Sequence, residues 1–366
     1  SEHDAWLITY PDQFRSGDRA PLQVLEDVYL AHFADSLNGV HVLPCYPWTS
    51  DDGYAVTDYL EIDPAFGTWR DVEHLAARTR LMLDAVINHM SASSAWFTSF
   101  LAGDPDFANF FRTSSPDADL ATTVRPRATP LLTEFESAHG SKWVWTTFSA
   151  DQVDLDFRNP KVFESVANVL FEYARHGAQM IRLDAVQFIG KREGTGSINL
   201  PEAHLVVEAL RGALDLSYPS VMLVSEANVP HEENLAYLGN AEQRKAQIVY
   251  QFALAPLVLH SMVTGDTTAL ESWVEGLPDL APGTSVVNYL ASHDGVAVRP
   301  VENILSSEDI SRLVLHTESA GGGVNVRALA GGGTAPYELA STWFDLMAVG
   351  YDEETARARH LASHAV

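Results

Sequence analysis

The chain has 366 residues, is 46% hydrophobic, and sets 23 basic against 49 acidic residues for a formal charge of −26. Such a length supports one large domain with a substantial core, or a barrel carrying a sizeable insertion. The charge argues against nucleic acid as a partner, because phosphate backbones are held by clustered Lys and Arg. No run approaches the roughly 18 uninterrupted apolar residues of a membrane helix, and the start SEHDAWLITYPDQF has no basic segment followed by an apolar one, so no membrane partner and a cytoplasmic home are expected. The single cysteine, Cys45, has neither a disulfide partner nor neighbours at metal-ligand spacing.

Short apolar runs alternate with amphipathic stretches, the pattern of parallel strands joined by crossover helices. In chain order the expected elements are strand 5–9, helix 21–36, strand 39–43, helix 70–80, strand 81–87, helix 160–176, strand 179–184, helix 202–216, strand 221–225, helix 231–240, strand 246–252, helix 255–275, strand 285–290 and helix 336–366. Two segments, 92–158 and 299–335, break the rhythm and read as long loops over one end of a barrel; the second holds glycine clusters at 321–323 and 331–333. The strands number one fewer than an eight-stranded barrel requires, so the sequence reads as stopping before strand eight.

Three carboxylates stand where apolar runs end: Asp184 in QMIRLDAV, Glu226 in VMLVSEAN and Asp294 in VVNYLASHDG. Parallel barrels gather their reactive groups at such strand ends. A single acid after a strand is commonly a helix cap, but Arg182 and His293 stand beside two of these and can fix them by ion pairing. With period 2 in a strand, Arg182 and Asp184 share a face. DAVINHM adds Asp84, Asn88 and His89; SDDGYAVTDY adds acids around a glycine turn. An ordered Asp, Glu, Asp set suits retaining glycosidic chemistry, which needs a nucleophile and a proton carrier.

The ordered segments DAVINH, IRLDAV, SEAN and YLASHDG resemble the four sequence regions of the α-amylase superfamily, glycoside hydrolase family 13. More narrowly, LPCYPWTSDDGYAVTDYLEIDPAFGTW, VRPRATPLLTEF, KWVWTTFSADQVDLD and YQFALAPLVLHSM look like the sucrose phosphorylase subfamily. The resemblance covers nearly the whole chain. It implies an α/β fold, a (β/α)8 TIM barrel formed by 1–91 and 159–366 with a small domain B inserted after strand three at 92–158. Strand eight and a C-terminal β domain of the family are not found in the sequence.

The resemblance also implies roles. Asp184 would be the nucleophile, Glu226 the acid/base and Asp294 the transition-state stabiliser, with Arg182 keeping Asp184 ionised. Asp51, His89 and His293 match glucose-binding positions, and Tyr54 and Phe148 match residues at the entry to the glucose pocket, whose bland reading is core packing. Gln152 is taken with this substrate-binding set. Arg125 and Arg127 fall where the family carries an Arg that approaches phosphate, although a surface pair reads equally well. Asn228 stands where sucrose phosphorylases typically carry His, and with GTGSINLPEAH and ASHDGVAVRPVE it points to the branch of sucrose 6'-phosphate and glucosylglycerate phosphorylases; Arg327 is a candidate contact on that side.

The expected activity is therefore a retaining α-glucosyl phosphorylase using sucrose or a related α-glucoside and inorganic phosphate, with no cofactor and no metal. A hydrolase or transglucosidase of the same family, and an inactive truncated barrel that only binds sugar, are the alternatives. A homodimer is left open.

Overall fold

The computed structural model describes residues 4–240, 242–329 and 333–365. Two compact units divide it: Ser1–Thr123 with Thr129–Glu226 and Gln243–Ala246, and Val124–Ala128 with Ala227–Glu242 and Gln247–Val366.

The first unit is built on five parallel strands that neighbour one another in chain order: β1 (Trp6–Thr9), β2 (Gly39–Val42), β3 (Arg80–Val86), β4 (Met180–Asp184) and β5 (Met222–Ser225). Their near-continuous apolar runs are what strands buried on both faces require; β4 is buried at all five positions. Gly39 is fixed by close approach, since a Cβ there would lie 2.4 Å from the Trp6 ring. Between the strands run α1 (Pro21–His32), α2 (Trp69–Ala76), α3 (Pro160–Arg175) and α4 (Pro201–Ser217). Three of these start on proline, whose missing N–H costs nothing at the first helical position. Asn159 caps α3 by accepting from the Lys161 amide at 3.0 Å, and α3 buries Val162, Val166, Val169, Leu170 and Tyr173 at helical spacing.

The segment 92–158, which its broken rhythm reads as long loops and the family resemblance as an inserted domain, contains a helix and short strands. Helix Ala95–Ala102 starts on the Ser94 hydroxyl and stops at Gly103, whose φ is 79°. Strands Leu132–Phe135 and Lys142–Trp145 pair antiparallel, as do His89–Ser91 and Gln152–Asp154. Phe97 makes ring contacts with Phe100, Phe111 and Phe135, and this aromatic centre offsets the ordering cost of the short elements.

In the second unit β6 (Ile248–Tyr250) pairs parallel with β7 (Ser285–Val287). The expected helix 255–275 is two helices, Leu254–Thr264 and Thr268–Glu275, because Gly265 turns left-handed at φ 75°. The expected helix 231–240 is confined to His231–Leu235. The larger correction concerns 299–366. Ser307–Ser319 is a helix opened by a Ser306–Asp309 capping box. The stretch read as the start of a helix at 336 belongs to strand Thr334–Ala340, which pairs antiparallel with Gly323–Ala328 and Val296–Ala297. Helices Trp343–Ala348 and Glu353–Ser363 follow. Leu339 is fully buried among Leu257, Leu313, Trp343 and Leu346, so burial of this one strand face overrides the local helical pattern. Gly331 and Gly332 lie outside the described residues. No helix among the described residues is long and apolar enough to cross a membrane.

Candidate active site

The parallel register sets Asp84 opposite Arg182 and Val86 opposite Asp184. Arg182, on the shared face with Asp184, therefore meets carboxylates on its own strand and on its neighbour. Its Nη1 donates to Asp184 Oδ1 at 2.8 Å and, more closely, to Asp84 Oδ1; its Nη2 lies 4.0 Å from Glu226 Oε2. His41 on β2 closes the row, with Nε2 2.7 Å from Asp84 Oδ2. The side chains of Arg182, Asp84 and His41 are 3%, 0% and 2% exposed, so the row is a buried charge network, stable only because each charge has a partner.

Glu226 follows β5 and is tied to the end of β4 by backbone. Its amide donates to the Leu183 carbonyl at 3.0 Å, its own carbonyl accepts from Val186 at 3.2 Å, and its Oε2 accepts from the Ala185 amide at 2.9 Å. Ala185 adopts φ 52°, a costly conformation for a residue with a Cβ. That turn aims its amide at Glu226 directly after Asp184, so the two carboxyls share one corner. Burial, with the Asp184 charge adding to it, pushes the Tyr59 phenol well above its ordinary value.

A second layer surrounds His89. Its Nε2 faces the Tyr54 carbonyl at 3.0 Å, and its Nδ1 lies 3.2 Å from the Asn88 amide nitrogen. A carbonyl only accepts, so Nε2 carries the proton and Nδ1 accepts. Burial holds the ring down to about 4, which keeps it neutral near pH 7. Gln152 donates to Asp51 Oδ2 at 2.9 Å. Asp51 and Asp52 are both left-handed, at φ 56° and 51°, and Gly53 at φ 103° completes the turn, where an added Cβ would lie 3.0 Å from Pro44 Cβ. Phe148 packs on His89 with ring centroids 4.9 Å apart, and Tyr54 offers its ring to Arg182 at 5.8 Å.

Two residues that sequence reasoning missed support the site, one behind each layer. His41 fixes Asp84, and a His inside the apolar run GVHVL was its signal. The Lys191 side chain, 3% exposed, donates to Asn88 Oδ1 and the Phe188 carbonyl, both at 2.8 Å, and lies 3.1 Å from Asp154 Oδ2. Burial lowers its pKa, with Asp154 opposing. Its side-chain partners Asn88 and Asp154 come from distant segments, so no local pattern announces it. A hollow of about 630 Å³ in this unit, lined by Glu73, His176 and Gln179, lies at the opposite end of the strands from Asp184.

The remaining sequence candidates lie in the second unit. His293 Nε2 stands 3.3 Å from Asp294 Oδ2, with the Asp294 side chain 47% exposed. Both line a cavity of about 380 Å³ with Tyr289 and Trp343. Strand β7 ends at Val287, so Asp294 stands in the following loop rather than at the strand end. Asn228 is buried. Arg125 bridges Ala328 through its backbone, Arg127 is exposed, and Arg327 donates to Glu302 Oε1 at 2.8 Å.

Comparisons with known proteins agree with this architecture. The family description "Alpha amylase, catalytic domain" matches residues 10–299. A glucosylglycerate phosphorylase of Allomeiothermus silvanus is 47% identical over 369 residues, covering 100% of this chain and 66% of that protein. One of Escherichia coli is 40% identical over 368 residues, with the same 100% and 66% coverage. The chain thus spans just under two thirds of the length of these curated relatives. The crystal structure of sucrose 6F-phosphate phosphorylase from Thermoanaerobacter thermosaccharolyticum superposes with a TM-score of 0.85 at 26% identity, over 99% of this chain and 74% of that one. A catalytic-domain match over most of its length and relatives at this level of identity establish that the chain belongs to the alpha-amylase family, with the (β/α)8 barrel fold of that family's catalytic domain.

Proposed function

We propose that the chain carries the chemistry of a retaining α-glucosyl phosphorylase, with glucosylglycerate as the favoured α-glucoside and inorganic phosphate as the acceptor. The observation that carries this reading is the corner at the ends of β4 and β5, where Arg182 bonds Asp184 and the amide next to Asp184 holds Glu226. The names of the relatives supply the substrate class.

In the first step an Asp184 carboxylate oxygen attacks the anomeric carbon as Glu226 gives its proton to the departing glycosidic oxygen, leaving a β-glucosyl ester and free glycerate. Arg182 favours the ionised form of Asp184 through its 2.8 Å bond. A phosphate oxygen then attacks the same carbon from the opposite face, Asp184 departs, and Glu226 takes a proton or phosphate reacts directly; the product is α-glucose 1-phosphate. Asp294 binds ring hydroxyls more tightly as positive charge grows on the ring. Asp51, His89, His293, Tyr54, Phe148 and Gln152 shape the glucose site, while Arg125, Arg127, Asn228 and Arg327 serve the acceptor side. Segment 92–158 is the inserted domain.

Incubation with glucosylglycerate and phosphate should release glucose 1-phosphate in proportion to phosphate. Phosphate-independent release of free glucose would replace this reading with a hydrolase. Sucrose and sucrose 6'-phosphate in parallel reactions fix the leaving group.

A further inference from the structure

Arg299 takes no part in the reading above. It opens the short turn Arg299–Val301, and its Nε and Nη1 are buried with no hydrogen-bond partner among the described residues. A guanidinium carries five donors, and burying them unpaired is costly unless a ligand completes them. The turn is pinned beside strand Thr334–Ala340, the Val298 amide donating to the Tyr337 carbonyl at 3.0 Å. On the neighbouring strand Arg327 pairs with Ala335, and its guanidinium reaches back to Glu302 on that same turn at 2.8 Å, where the Glu302 amide donates to the Arg299 carbonyl at 3.2 Å. Arg327 Nε is also buried and unpartnered among the described residues.

Two arginines thus converge on one turn. Burial lowers the pKa of Arg299, with Tyr337, Glu302 and Glu233 opposing and Arg327 adding to the fall. Glu302 bonds Arg327, and Arg299 Nε and Nη1 find no partner among the described residues. In a chain of charge −26, such a cluster is where an anion would find local attraction.

We propose that Arg299 and Arg327 form a binding site for a small oxyanion, with the Arg299 fork as its principal donor. Carboxylate and phosphate share the planar, two-oxygen edge that a guanidinium fork recognises. The proposal rests on the phosphorylase reading only for the two anions to try, the carboxylate of glycerate and inorganic phosphate.

Thermal-shift titration of the protein, with no glucoside and so no turnover, tests the site independently of the activity. D-Glycerate and inorganic phosphate are titrated at matched ionic strength, with glycerol as the neutral control. One or both anions should give a saturable rise in Tm, and whichever does identifies the source. Arg299→Gln should weaken that binding by about ten-fold or more, with Arg299→Lys intermediate because it keeps charge and loses the fork. Glu302→Gln, which removes the competing carboxylate without changing shape, should tighten it several-fold. No saturable shift with either anion, or unchanged affinity in folded Arg299→Gln, overturns the site. Should Arg299→Gln fail to fold, unchanged or weaker binding by Glu302→Gln overturns it equally.

Discussion

A basic side chain stands beside a carboxylate at the end of β4 and again in the loop after β7, under opposite conditions. Arg182 is 3% exposed and shared between Asp84 and Asp184, with His41 behind Asp84. His293 Nε2 lies 3.3 Å from Asp294 Oδ2, and the Asp294 side chain is 47% exposed. In the first place charges are held by other charges in a dry interior, so geometry and stability are the same property. In the second, water screens the carboxylate, and its usefulness does not depend on its holding the fold together.

Substitutions separate these regimes. Asp184→Asn should lower glucose 1-phosphate release by about 10⁴-fold or more, because no other side chain on the proposed path attacks the sugar to open the first step. Glu226→Gln should cost about 10²- to 10⁴-fold, with much of the loss recovered on an α-glucosyl fluoride that needs no proton to leave. If both variants retain wild-type phosphorolysis, the corner at Ala185 is structural only.

Arg182→Met should destabilise the protein by about 3–5 kcal/mol in urea unfolding, since it strands Asp84 and Asp184 without their cation. A loss below about 1 kcal/mol would mean that the network is not the anchor its burial implies.

His89 provides a smaller, pH-dependent handle. Its pKa falls from 6.5 in the unfolded chain to about 4 in the fold, so between these values the unfolded state binds more protons and stability drops as pH falls. The slope from this one group is up to about 1.4 kcal/mol per pH unit. Denaturation series from pH 7 to 4 should show a shallower fall for His89→Gln than for the wild type; parallel curves would contradict the buried neutral ring.

Asp294→Asn is the opposite extreme. Its stability should change by less than about 0.5 kcal/mol, while kcat/KM for the glucoside falls at least about ten-fold. A large loss of stability would erase the distinction between the two regions.

The parallel strands were legible because each is a short apolar run closed by a polar residue, and observed ends lie within a few residues of those expected: 179–184 became Met180–Asp184 and 221–225 became Met222–Ser225. Asp184 and Glu226 lie at or just after such strand ends, whereas Asp294 falls in the loop beyond β7. Residues 299–335 and the opening of helix 336–366 were misread because the strands there are short and their stability comes from aliphatic contacts across distant residues, as at Leu339. Lys191 is the clearest omission, bonded to Asn88 a hundred residues upstream.

The sequence by itself determined the strand order, the fold class and the ordered acids Asp184 and Glu226, because period and strand-end position are local properties of the chain. Only the tertiary structure decided that Asp84 faces Arg182, that His41 and Lys191 stand behind the site, and that Arg299 and Arg327 share one turn. Register and burial bring those groups together, and the cost of leaving a charge unpaired in a low-dielectric interior selects which partners each one keeps.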